Sequence, residues 1–162
     1  MSPRAAWRLE SLGFAEVYDY VAGKLDWMAA GLRTEGTNAA HPRAGDVSRK
    51  DVPTALLDER LGDVRERVRA NGWDAVVAIN KERVVLGLLR SKELDKDPEL
   101  SIEQAMRSGP TTFRPYVAIK EMAEYLTKHM LESAPVTTSD GRLVGLLLQK
   151  DAVRVSGESD KA

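Results

Sequence analysis

The stretch Gly87-Leu88-Leu89-Arg90-Ser91-Lys92-Glu93 returns 58 positions later as Gly145-Leu146-Leu147-Leu148-Gln149-Lys150-Asp151. Sliding the chain on itself by that offset also lays Thr54 on Thr112 and Glu66 on Glu124. Few other positions are identical. The order of elements repeats instead, and an internal repeat constrains architecture more than any local pattern does.

Working outward, each copy opens with a short extended piece, "VPTALL" at 52–57 and "PTTFRP" at 110–115, and continues into a helix. The first helix has Asp58 as its expected cap and a narrow stripe of Leu61, Val64 and Val68. The second has a wider apolar face of Ile119, Met122, Ala123, Leu126 and Met130. Two adjacent strands follow. In the second copy "SAPVTT" and "RLVGLLL" flank Ser139-Asp140-Gly141, a strong hairpin signal because Gly accepts positive φ. The first copy has "DAVVAI" and "VVLGLL" around Asn80-Lys81-Glu82-Arg83, which predicts a looser turn without Gly. Each second strand leads into a short helix, opened by Ser91 in the first copy, and Ser101 with Gln104 stands at capping-box spacing between the copies. The fold class is therefore α+β: two β-α-β-β-α units, at 45–98 and 99–155, with 156–162 as a disordered tail. Units of this size hide an apolar sheet face poorly alone, and packing sheet to sheet solves that problem.

Composition narrows the partners. The chain has 162 residues, 43% of them hydrophobic, with 24 basic against 25 acidic side chains and no cysteine. The near-cancelled charge gives no field to recruit nucleic acid or an anionic bilayer. Without cysteine there is no disulfide, thiolate metal site or cysteine nucleophile. Apolar runs are short, so a cytoplasmic protein with no membrane partner is expected. His41 and His129 lack metal-ligand spacing, so no zinc site is expected, and no serine sits in a nucleophile elbow. Arg60, Arg65, Arg67 and Arg69 are interspersed with acids, as on a solvated or dimer-edge helix.

At Gly87 and Gly145 the missing Cβ allows a flat ligand or another backbone to come close. Glu93 and Asp151 should then fall in a first helical turn. There a carboxylate either complements the helix dipole, worth about 0.3–1 kcal/mol, or uses its acceptor lone pairs to grip ribose hydroxyls beside N–H groups that hold a phosphate.

The twofold unit, with "LESAPVTTSDGRLVGLLLQKD" in its second copy, resembles the CBS domain, named for cystathionine β-synthase. The resemblance runs from about Ala44 to Val153. It implies a tandem pair with pseudo-twofold symmetry, homodimerising through its helices, non-catalytic, and binding AMP, ATP or S-adenosylmethionine as a regulatory ligand in two clefts. The family's pattern is Gly, an apolar pair, Ser or Thr, two variable residues, then Asp. Gly145 and Asp151 match it in the second copy; in the first, Gly87 matches and Glu93 is a longer acid. The hydroxyl position holds Leu148 and Arg90, so the usual phosphate ligand is missing from both copies, although Arg90 can donate a charged, bidentate contact. Base-contacting positions implied by the family are Thr112, Phe113, Ser133, Ala134 and Pro135, which strand packing would equally employ. A structural dimerisation module with empty clefts is the alternative.

Residues 1–35 read as helix, strand, helix: Ser2 caps, Pro3 starts, Gly13 stops, "EVYDY" alternates, and a second helix spans about 24–30. The segment resembles the C-terminal end of a rhodanese-like sulfurtransferase domain, here without the upstream cysteine loop. That resemblance implies a chain truncated at its rhodanese end, or a residual ordering segment, and a sulfurtransferase or other enzyme as the regulated partner. Its Trp7, Phe14 and Trp27 are expected to pack on the pair or a neighbouring chain, or to be mobile. Residues 36–44 are the linker.

Overall fold

The computed structural model describes residues 2–30, 32–36 and 41–159. Two N-terminal helices, α1 (Ser2–Ser11) and α2 (Gly23–Ala29), precede the repeat, which begins with α3 (Ala44–Val47). The first copy follows as β1 (Thr54–Ala55), α4 (Leu61–Ala70), β2 (Val76–Ile79), β3 (Val85–Leu89) and α5 (Ser91–Leu94). A crossing segment supplies α6 (Ile102–Ala105) and β4 (Arg107–Ser108). The second copy is α7 (Ile119–Lys128), β5 (Ser133–Thr137), β6 (Leu143–Leu148) and α8 (Gln149–Ser159). None of the helices among the described residues is long and apolar enough to cross a membrane.

Both copies build the same sheet. In the first, β1 pairs parallel with β2, and β3 lies antiparallel between β2 and β4. In the second, Phe113 bridges Val136 in parallel where β1 would lie, and Arg49 bridges Leu146 where β4 would lie. The hairpins share a bulge at equivalent places, between Ala78 and Ile79 and between Val136 and Thr137. They also share one turn. Arg83 takes φ 65° where Gly141 takes 83°, so the first turn is a match for the second and not the looser one predicted. The Asn80 side chain accepts the Val84 N–H as the Thr138 hydroxyl accepts that of Arg142, a side-chain closure that sustains the left-handed residue.

The chain exchanges segments between the copies. Ala44 packs in the core of the second copy with Met122, Leu126 and Leu147, whereas Ile102 and Ala105 pack in that of the first with Leu61, Val64 and Val68. A third cluster joins the two sheets through Val77, Ile79, Leu88, Leu143 and Leu146. At the hairpin tips the sheets are stitched by Val85 N–H to Gly141 O and Leu143 N–H to Arg83 O, 3.0 and 2.9 Å.

Several expectations are corrected. "EVYDY" forms no strand, because no neighbouring strand offers it a ladder. Asp58 does not cap α4; Arg60 holds that position, and Glu59 instead accepts the Leu56 N–H. Met130 leaves the apolar face, since α7 stops at Lys128 and Met130 stands exposed at φ 51°. Leu131 then donates to Leu126 O at 2.9 Å, as Trp73 donates to Val68 O beyond Gly72, the closing bond of a Schellman motif. Helix α8 extends to Ser159, into the segment expected as a tail; 160–162 lie outside the described residues, as do 37–40 of the expected linker and the side chain of Ser2. Ser101 and Gln104 do form the capping box of α6. The α4 arginines are engaged locally: Arg60 with Glu99, Arg67 with Glu59 and Arg69 with Asp95, while Arg65 donates to Leu94 O.

The N-terminal helices rest on the second copy through the Ser139 hydroxyl, which donates to Asp26 at 3.0 Å. Trp7 and Phe14 are exposed. Trp27 is held by its indole N–H to Arg33 O and by an edge contact with Tyr20 at 5.3 Å.

The glycines of the two echoed stretches are explained by the exchange. A Cβ at Gly145 would lie 2.7 Å from Arg49 O and 2.8 Å from Ser48 Oγ, and one at Gly87 would collide with the Met106 side chain. Each glycine thus admits the exchanged segment. Gly145→Ala should lose about 1–3 kcal/mol in urea unfolding, and Gly87→Ala less, because a thioether moves more easily than backbone. Met130→Gly should gain about 0.5–1 kcal/mol in the same assay by relieving a left-handed residue.

Candidate functional site

Because β3 ends against the first strand of the opposite hairpin, the loop after Leu89 meets residues of the other copy. Arg90 Nη2 donates to Ser133 O at 2.7 Å across that seam. Two adjoining cavities, of about 170 and about 300 Å³, open here and share Arg90 and Ser133 in their walls. The smaller is completed by Leu88, Arg107, Ser108, Gly109, Pro110, Thr111 and Leu131. The larger adds Asp74, Ser91, Leu148, Gln149 and Lys150. The repeat offset maps Asp74 onto Glu132 and Arg90 onto Leu148, so the larger cavity straddles the pseudo-twofold axis.

Arg90 caps α5, and its backbone N–H donates to Glu93 Oε2 at 3.1 Å, so one oxygen of the Glu93 carboxylate serves its own helix start. The guanidinium is half-buried, and burial pushes it below the ordinary arginine range, with Arg107 acting in the same direction and Glu93 and Glu132 opposing. Its Nε is the buried side-chain donor that finds no acceptor among the described residues. A buried, unpaired guanidinium donor beside a second guanidinium is costly unless an anion joins them. The residues fit a phosphate group there.

The equivalent place in the second copy is arranged differently. Asp151, in the first turn of α8, receives Arg49 Nε at 2.8 Å and Nη2 at 3.4 Å. Arg49 also lies over the Trp73 ring, 5.9 Å from its centroid. Leu148 packs on the inter-sheet cluster beside Trp73. The hydrogen bond from Arg49 holds the Asp151 carboxyl below its usual range, against the effect of burial.

The remaining candidates scatter. Ser133 lines the seam, Ala134 is buried in the helix-facing core, and Pro135 pairs with Leu146. Thr112 is exposed, while its neighbour Thr111 lines the smaller cavity. Phe113 packs edge-on to Tyr125 at 5.0 Å. Gly145 faces the Ser48–Arg49 backbone and Gly87 faces Met106. Arg49 and Arg107 escaped the sequence reading, although the offset that aligns Gly87 with Gly145 lays one on the other. A further cavity of about 450 Å³, lined by Met28, Arg33, Arg43, Lys50 and Tyr116 among others, lies between the N-terminal helices and the second copy, apart from any motif.

A carboxylate whose folded pKa is depressed adds stability above its unfolded value, about 3.9, and loses it as pH falls through the folded value. Asp151→Asn should therefore be less stable than the parent near pH 6, by roughly 1 kcal/mol given the exposure of Arg49. Paired thermal melts from pH 7 to pH 2.5 should show that gap closing below about pH 4.

Residues 102–158 match the family model described as "CBS domain". An uncharacterized protein from Methanopyrus kandleri is 23% identical over 119 residues, covering 68% of this chain and 61% of its own length, so the chain spans less than two thirds of that relative. The crystal structure of CBSX2 in complex with AMP superposes with a TM-score of 0.66 at 17% identity, over 74% of this chain and 98% of that one. The CBS domain pair of protein MJ0100, in complex with 5′-methylthioadenosine and S-adenosyl-L-methionine, gives 0.65 at 17% over the same shares. Residues 102–158 are thus similar to a CBS domain, and over about three quarters of its length the chain has the fold of CBS-pair structures.

Proposed function

We propose that the protein is a non-catalytic regulatory module that binds a phosphate-bearing adenine nucleotide in the Arg90 cleft. The observation that carries this reading is the convergence of Arg90, with its unpaired buried Nε, and Arg107 on one cavity wall with Ser133 and Thr111. Arg90 and Arg107 on one cavity wall attract phosphate and repel a sulfonium, so AMP and ATP fit better than S-adenosylmethionine. The AMP bound by CBSX2, whose fold this chain shares, supports the same class of ligand. The module acts as a homodimer through its helices, where Val153 of α8 and Met130, just past the end of α7, stand exposed. Its regulated activity lies in a partner enzyme, with a sulfurtransferase nominated by the N-terminal resemblance.

A second reading, a dimerisation module with empty clefts, is favoured by Leu148 and by the Arg49–Asp151 pair, but neither lines the smaller cavity of Arg90 and Arg107. Calorimetric titration with AMP, ATP and S-adenosylmethionine separates the two. The expected order is ATP at or above AMP, with S-adenosylmethionine at least tenfold weaker. Arg107→Ala, on an exposed two-residue strand, and Arg90→Leu should each weaken ATP about 10- to 100-fold, with thermal melts confirming the fold. Heat-silent titrations with all three would leave the dimerisation reading in place.

A further inference from the structure

We propose that Arg49 is a built-in occupant of the second cleft, so that each chain takes one nucleotide where its repeat offers two places. This rests on the nucleotide reading above and concerns how many ligands bind. A nucleotide entering beside Asp151 needs acceptors for sugar hydroxyls, a face for the base and a donor for phosphate. Arg49 engages both carboxylate oxygens of Asp151, at 2.8 and 3.4 Å. The same guanidinium lies over the Trp73 ring, 5.9 Å from its centroid. Leu148 offers nothing to an anion and packs, partly buried, against the inter-sheet cluster.

The first cleft inverts each of these. Arg107, the counterpart of Arg49, is held by no ion pair among the described residues and lines the cavity with Arg90. Glu93, the counterpart of Asp151, instead accepts the Arg90 N–H through Oε2. Leu131 stands in the place of Trp73, so no ring holds the Arg107 guanidinium. One arginine position, repeated, is a plug in one half and a ligand contact in the other.

The backbone of Arg49 pairs with Leu146 through both its N–H and its C=O, each at 2.9 Å, so truncating the side chain leaves the sheet intact. Titrating the full chain with ATP should give one equivalent per chain for the parent and two for Arg49→Ala; Arg49→Gln, which keeps bulk but not charge, serves as a second variant should the first melt early. Two equivalents in the parent, or one in a folded Arg49 variant beside one in the parent, overturns the plug and leaves the nucleotide reading standing. No binding to the parent but one equivalent to Arg49→Ala upholds the plug and removes the Arg90 cleft as a site. No binding to either defeats both.

Discussion

A two-stranded antiparallel ribbon has an apolar face to hide and open edges to pair. The repeat unit here cannot meet those needs from its own residues. Each hairpin takes its outer partner from the chain leading into the other copy: Arg49 on Leu146, and Arg107 on Leu88. The exchange requires a strand position with no side chain, which is why glycine recurs at 87 and 145. It also delivers Ala44 to one core and Ile102 to the other. With the edges closed, the remaining apolar faces, Val77 and Leu88 against Leu143 and Leu146, have only each other to cover them.

The same exchange sets the electrostatics. It places one arginine beside the end of each second strand, and a like-charged or an acidic neighbour decides what that arginine does. Next to Asp151 it makes a two-point ion pair; next to Arg90 it raises the cost of an already half-buried cation. Three side-chain differences, Leu148 against Arg90, Asp151 against Glu93 and Trp73 against Leu131, thus separate two places that the backbone makes nearly equivalent.

The order of elements was legible because hairpin turns, capping boxes and apolar periods are local: Ser139-Asp140-Gly141 and Ser101 with Gln104 behave as read. What failed was what depends on distant partners. "EVYDY" has strand alternation and no strand to join, and Arg83 closes its turn through the Asn80 side chain instead of glycine. Met130 continues an apolar stripe in sequence but lies past the end of its helix. The site was half legible: the echoed stretch pointed to Arg90, Glu93 and Asp151. Thr111, Arg107 and Arg49 reach those residues only across the exchange, which no pattern within one copy encodes.

The connection between the copies, from Asp95 to Leu100, lies against α4, whose Leu61 and Gly62 N–H groups donate to Leu100 O and Pro98 O. A protease cutting there would leave the Ala44–Val47 helix attached to the N-terminal piece yet seated in the C-terminal core, and the Ile102–Ala105 helix attached to the C-terminal piece yet seated in the N-terminal core. The two products would hold each other like clasped hands, and a nicked chain would keep its shape until it was denatured.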